Sequence, residues 1–242
     1  MKLSAPIFIL KQHAKALSRR DKIPLHRALD VIASREGFKS WSLLSANASS
    51  RESSAALMAQ LQPGDLALIG ARPGQGKTLL SLDLALKTLR RGRPAAFFTL
   101  YASRADVARY LQSMGEGSTR LARDLVVDDS DEVCADYVIN RLARAPTRTL
   151  VVIDYLQLLD QKRENPDLMS QMQELKDFAR RRRIIVVCLS QISRSYDPGK
   201  RVCPGLGDVR LPNPLDLGLF DRTCFLDRGA MRVSSGSAGR PA

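Results

Sequence analysis

The sequence is short of the residues that build metal centres, disulfide frames and membrane spans. Only two histidines, His13 and His26, occur in 242 residues, which disfavours a histidine-built metal site or catalytic triad. The four cysteines, Cys134, Cys188, Cys203 and Cys224, are scattered with no C-x-x-C spacing. That usage fits reduced core or loop thiols in a cytoplasmic protein better than a disulfide frame. No run of eighteen apolar residues exists, so no membrane-spanning helix is expected. The opening MKLSAPIFILKQHAKAL breaks its apolar run at Lys11 and lacks a clear cleavage site, so it does not read as a secretory signal.

Positive charge is what the chain has in excess: 38 Lys and Arg against 25 Asp and Glu, a formal net charge of +13. Such a surplus favours a polyanionic partner, with nucleic acid ahead of an anionic membrane. A basic surface that serves solubility alone is the alternative.

The hydrophobic pattern divides the chain. Residues 4 to 47 predict three short helices, with Ile7, Leu10, Ala14 and Leu17 at helical spacing, then Leu25, Leu29 and Ile32, then Phe38 and Trp41 as core anchors. Residues 1–47 are thus expected to form a small basic helical module, serving either as a nucleic-acid-binding bundle or as a docking collar. "NASSRESSA" is small and polar and predicts a linker over 48–56. Residues 57–233 alternate near-continuous apolar strands with amphipathic helices, the pattern of an α/β fold whose mostly parallel sheet is covered on both faces. Residues 234–242 predict a flexible tail.

Within the α/β region, "ALIGARPGQGKTLL" places Gly76-Lys77-Thr78 between a strand and a helix. Gly74 and Gly76 let backbone N–H groups approach phosphate oxygens at a helix N-terminus, where the helix dipole favours negative charge. Lys77 is expected to reach the β- and γ-phosphates, and the Thr78 hydroxyl to bind magnesium. The cradle comprises Ala71, Arg72, Pro73, Gly74, Gln75, Gly76, Lys77, Thr78 and Leu79. Ala71 stands where a phosphate loop usually begins with glycine, which a methyl group permits if its φ is not positive. "TLVVIDYLQLLD" ends a buried strand in Asp154, a carboxylate placed to orient the waters of a magnesium ion.

The segments "LQPGDLALIGARPGQGKT", "LVVDDSDEVCADYVINRLARA", "VVIDYLQLL" and "IIVVCLSQISRS" together resemble the RecA-like motor domain of DnaB-type replicative helicases. The resemblance runs in order from about residue 57 to 194 and more weakly to 229. Ala71-Arg72-Pro73 is common at the start of that family's phosphate loop. Asp154-Tyr155-Leu156-Gln157 and Leu189-Ser190-Gln191 recur at its spacing. The resemblance implies ATP and magnesium as ligands, with Lys77, Asp154 and Gln191 catalytic and Gln191 sensing the γ-phosphate. It also implies a DNA-contacting loop carrying Arg194, Lys200, Arg201 and Arg210, and a homo-oligomeric, hexameric ring on single-stranded DNA or another nucleic acid. The basic run by which the family's C-terminal hairpin reaches the neighbouring subunit has no counterpart here; Arg228 and Arg232, flanking Gly229 in a shortened hairpin, are the candidates for that finger. On this resemblance the small basic module is expected to stand in the place of the family's own N-terminal domain and linker helix.

"FFTLYAS" puts Tyr101 where the family carries the glutamate that polarises the attacking water. A phenol with a pKa of about 10 is a poor base at neutral pH, and Asp106 lies about one helical turn further on. Two functions therefore stand side by side: a DNA-stimulated ATPase of the helicase class with weakened hydrolysis, and an ATP-gated DNA-binding or assembly protein with little turnover. A recombinase-like or clock-like RecA ATPase fits Asp154 to Gln157 less well. If only the base is missing, Tyr101→Glu raises steady-state phosphate release, by up to about 10²- to 10⁴-fold. Unchanged turnover in that variant would mean that another carboxylate already serves as the base.

Overall fold

The alternation of apolar strands and helices folds into one seven-stranded sheet. The computed structural model describes residues 3–5, 7–99, 102–113, 123–160, 162, 164–211 and 213–236. Its strands are β1 (Leu66–Ala71), β2 (Ala95–Thr99), β3 (Leu125–Asp128), β4 (Leu150–Asp154), β5 (Ile185–Gln191), β6 (Arg222–Asp227) and β7 (Ala230–Ser235). They lie in the order β3-β2-β4-β5-β1-β6-β7. Every neighbouring pair is parallel except β6 and β7, which form an antiparallel hairpin.

Helices α1 (Ile7–Arg20), α2 (Leu25–Arg35) and α3 (Trp41–Gln60) precede the sheet. Leu10, Ala14, Leu17, Ile32 and Phe38 form their common core as the spacing predicted, joined by Ala28 and Leu44. Ile7, Leu29 and Trp41 pack against it half-buried, and Leu25, expected on the same face, is exposed. Ser40 caps α3 by accepting from the Leu43 N–H.

Strand periodicity sorts the core of the sheet into two halves. Ile69, Phe97, Val152, Val187 and Leu189 face one side, and Leu68, Phe98, Val151, Ile153 and Val186 face the other. Successive side chains of a strand point to opposite faces, so a strand covered on both faces must be apolar throughout. Helix α4 (Lys77–Arg90) covers the first face through Leu80, Leu82 and Leu86. Two shorter helices follow in the chain, α5 (Arg104–Ser113) and α6 (Ala135–Arg141). Helix α7 (Leu168–Arg182) covers the second face through Met172, Leu175 and Phe178. All four cysteines are unpaired, and three are buried. Burial pushes the Cys188 and Cys224 thiols up to about 12, so both are neutral packing groups at physiological pH.

Two boundaries differ from the sequence expectation. Residues 48–56, expected as a linker, lie inside α3. No glycine or proline interrupts Trp41–Gln60, and alanine and serine tolerate helix when tertiary contacts hold them. Those contacts come from α4: the buried Ser54 hydroxyl donates to Asp83, and Lys87 Nζ donates to both. Leu57 and Met58 join the core of the sheet. Module and sheet therefore share one helix. At the other end, Ser234 and Ser235, expected in the tail, pair with Thr223 and Arg222 as the last rungs of the hairpin; the tail beyond residue 236 lies outside the described residues.

Gly70 lets β1 pass beneath Phe225. A methyl group there would lie 2.7 Å from Phe225 Cε1 and 3.1 Å from Ile192 Cδ1. Gly70→Ala is expected to destabilise the fold by roughly 1–3 kcal/mol, as overpacking typically does, read as a lower urea midpoint at unchanged m-value. Phe225→Leu in the same chain should recover part of that loss. A wild-type midpoint for Gly70→Ala would contradict this packing.

Candidate nucleotide site and its adjoining loop

The phosphate loop leaves the sheet at Ala71, the last and fully buried residue of β1. Ala71 is not among the residues with positive φ, so its methyl group is accommodated without strain. The left-handed positions are Gly74 (φ 76°) and Gly76 (φ 85°). A Cβ added at either would meet nothing within 4 Å. The loop is thus unobstructed on the side these two positions face, as the approach of a phosphate chain requires. Gly76 precedes α4, and its carbonyl accepts from the Leu80 N–H at 2.9 Å. The N–H groups of Lys77, Thr78 and Leu79 begin the helix, where no preceding turn offers carbonyl partners.

Below the loop the Thr78 hydroxyl donates to Asp154 Oδ2 at 3.1 Å. Asp154 ends β4 and is almost fully buried. Burial raises its pKa, against the opposing influence of the nearby Lys77 charge and of the Thr78 hydrogen bond. A hydroxyl and a carboxylate side by side are hard oxygen donors, the set that suits magnesium. The cradle and this oxygen pair fit a magnesium-bound nucleoside triphosphate.

Gln191 ends β5 directly beside Ala71. The chain then turns back on itself: Ile192 bridges Val209, and the Arg210 N–H donates to the Gln191 carbonyl at 2.8 Å. Gln157 donates to the Arg210 carbonyl at 2.6 Å, tying the segment after β4 to the same point. Between residues 193 and 208 the loop is internally organised. Tyr196 is buried, and its hydroxyl donates to the Arg201 carbonyl at 2.8 Å. Its ring has the Arg72 guanidinium at 5.4 Å and the Arg201 guanidinium at 5.5 Å, both within cation–π range. Arg72 also donates to the carbonyls of Arg194, at 3.2 Å, and of Tyr196. Asp208 accepts from Arg201 and from the Gly205 N–H, each at 2.8 Å.

The structure therefore brings some of the expected site residues together and separates others. Arg72, Pro73 and Gln75 share a cleft of about 800 Å³ with Gln191, Arg194 and Arg210. Lys200 is exposed on the far part of the loop, and Arg201 is engaged by Asp208. Arg228 sits on the β6–β7 turn, its N–H donating to Gln75 Oε1 at 2.7 Å while its side chain remains 71% exposed. It thus borders its own phosphate loop. Arg232 is occupied within the molecule, donating to the Pro204 carbonyl at 2.5 Å and lying over the Phe225 ring, so it is no free finger. Tyr101 lies outside the described residues. Asp106 accepts from the Ser103 N–H and hydroxyl and pairs with Arg109; it caps α5.

Sequence reasoning passed over two features of the site. Tyr196 could have been noticed as a lone aromatic in a loop of arginine, serine, glycine and proline, a composition that leaves a ring nowhere to pack except against the loop itself. Trp41 gave no such signal: it packs against the module core as expected, yet it also lines a cleft beside Gly74 and Gly76.

Residues 113–216 match the family model described as the DnaB-like helicase C terminal domain. Replicative DNA helicase DnaB of Leifsonia xyli subsp. xyli is 28% identical over 184 residues, covering 62% of this chain and 40% of that protein. The probable plasmid replicative DNA helicase of Chlamydia muridarum is 28% identical over 181 residues, again 62% and 40%. DnaB of Helicobacter pylori is 29% identical over 199 residues, 69% and 40%. The chain spans about 40% of the length of these curated relatives. Among solved structures, a DnaB-like replicative helicase described with its primase interactions matches with a TM-score of 0.58 at 23% identity, covering 69% of this chain and 48% of that one. A separately solved ATPase domain matches at 0.55 and 24%, covering 69% and 71%; both likenesses establish the fold. Strand order, phosphate loop and family model agree: the chain has a RecA-like fold and is similar, over residues 113–216, to the DnaB-like helicase C terminal domain.

Proposed function

We propose that this domain binds ATP with magnesium, couples the bound nucleotide to a loop that contacts single-stranded DNA, and hydrolyses ATP slowly. The observation that carries the reading is the Thr78–Asp154 hydrogen bond beneath a loop whose two left-handed glycines open onto free space. Lys77 places fixed positive charge against the β- and γ-phosphate oxygens, and the first N–H groups of α4 donate to the same chain. Thr78 would hold magnesium directly and Asp154 through its waters, and the ion would neutralise charge on the phosphate oxygens. Gln191, beside Ala71 at the sheet edge, can donate to the terminal phosphate through its side-chain amide while its carbonyl stays bonded to Arg210.

Coupling runs through Arg72. It is the first loop residue after β1, and it grips the carbonyls of Arg194 and Tyr196. A shift of the phosphate loop on nucleotide binding is therefore passed to residues 193–210, and Gln191 passes the same signal from the neighbouring strand. Arg194, Arg210 and the exposed Lys200 suit phosphate tracking without base readout, and the net charge of +13 points the same way. Arg201, held by Asp208 and Tyr196, shapes the loop. Arg228, on the rim of its own cradle, is better placed to act on its own nucleotide than on a neighbour's. By analogy with relatives named replicative helicases, the working form is a homo-oligomeric ring in the cytoplasm. Tyr101 supports slow turnover and gives weight to a second reading, an ATP-gated DNA binder; phosphate release measured with and without single-stranded DNA separates the two.

Lys77→Ala should abolish ATP binding in calorimetry while circular dichroism remains that of the wild type, because the cradle loses its fixed positive charge. Undiminished ATP affinity would remove the site assignment. DNA affinity should fall linearly on a log–log plot against salt. Lys200→Glu should weaken binding and reduce that slope by at least about 0.7, the contribution of one neutralised phosphate on a single strand. If Lys11→Glu with Lys15→Glu moves the slope and Lys200→Glu does not, the helical module is the DNA contact.

A further inference from the structure

Among the clefts that the phosphate chemistry above leaves unused, one adjoins the phosphate loop itself. It lies between α3 and the β6–β7 turn, encloses about 280 Å³, and opens beside Gly74 and Gly76. Trp41 and Ser45 of α3 form one wall, Leu80 and Leu226 provide apolar surface, and Arg228 stands at the rim. At about 280 Å³ the cleft falls just under the lower end, about 300 Å³, of small-molecule pockets. It is therefore matched to a part of a ligand, a nucleoside with its phosphates outside, and not to a whole nucleotide. The lining has matching chemistry: the partly exposed indole of Trp41 offers flat apolar surface backed by the buried Leu80 and Leu226, while serine hydroxyls and a guanidinium offer donors and acceptors at its border. The glycines of the cradle border the cleft as well. A ligand with phosphates along Gly74 to Thr78 can place its remaining portion at the mouth of this space.

We propose that this cleft is the nucleoside subsite of the phosphate loop, with the base of the bound triphosphate against Trp41 and the ribose hydroxyls near Ser45. The inference rests on the nucleotide-binding reading above and extends it to the helical module, which becomes one wall of the site. The wall is anchored. Ser54, further along α3, is bound to Asp83 and Lys87 of α4, the helix that starts at Lys77. Trp41 is fixed from the module side, its backbone N–H donating to Asp30 Oδ1 at 2.9 Å. A base in the cleft therefore touches the residue at which the three helices meet the nucleotide site, and loading of the site is felt by the module.

Calorimetry on the full chain with two probes, ATP and inorganic tripolyphosphate, tests this. The wild type should bind ATP more tightly than tripolyphosphate. Trp41→Ala should weaken ATP by roughly 5- to 150-fold, the range for loss of one base–aromatic stack, and leave tripolyphosphate unchanged; Trp41→Phe should restore most of the difference. Trp41 is the chain's one tryptophan, so wild-type emission offers a second readout that needs no variant: ATP should alter it and tripolyphosphate should not. A wild type that binds neither probe overturns the phosphate-loop reading itself. Binding of both probes with equal affinity, an unchanged ATP affinity in a folded Trp41→Ala, or indifferent wild-type emission overturns the nucleoside subsite alone.

Discussion

The parallel register of β1 between β5 and β6 is the constraint on which the site depends. Ala71 stands opposite Gln191 on one side and Leu226 on the other, and Asp154 stands opposite Thr99. Parallel strands all end at the same edge of the sheet, so the cradle, the carboxylate and the glutamine are delivered together by strand pairing. A slip of one residue in β4 or β5 would turn Asp154 or Gln191 to the opposite face. Such a slip is resisted on both faces, because each strand is buried throughout and shifting it would exchange the side chains packed against α4 with those packed against α7. Gly70 belongs to this constraint: next to the end of β1 it admits the Phe225 ring, which keeps β6 and the turn bearing Arg228 close to the loop.

The segment after β5 is held by a different kind of interaction. Its apolar content is low, and its shape comes from Tyr196, set between two guanidinium groups and bonded to Arg201, and from Asp208, which gathers Arg201 and Gly205. Half-exposed ion pairs of this sort each contribute modestly to stability. Their consequence is geometric. They make the segment a defined body attached to the phosphate loop at Arg72 and to the sheet at Gln191, and a body with two attachment points can be moved by either. A merely solvated loop could not carry a signal in that way.

The sequence made most of the core legible. Near-continuous apolar strands such as Leu150–Asp154, alternating with amphipathic helices, indicated a sheet covered on both faces, and the phosphate loop and Asp154 could be placed on strand ends from their spacing. It was misleading where composition stands in for conformation. Residues 48–56 are rich in serine and alanine, which suit a linker or a helix equally; the contacts of Ser54, Leu57 and Met58 with α4 and the sheet select the helix. Arg201 and Arg232 looked available for ligands because arginine in a loop is usually exposed, and their partners Asp208 and Pro204 could not be read from local sequence.

The sequence by itself determined the chemistry: glycines that allow a positive φ, a lysine and a threonine at fixed spacing from them, and a carboxylate closing a buried strand. These are local properties, carried by residue type and short-range spacing, and they survive any uncertainty about the rest of the chain. The tertiary structure decided what surrounds that chemistry. It joined Arg72 to Tyr196 across more than a hundred residues, brought the Arg228 N–H to Gln75, and carried Trp41 of the helical module to a cleft beside Gly74 and Gly76. No periodicity encodes such encounters, because each depends on the packing of two covered faces and a shared helix, and these are fixed only when the whole chain has condensed.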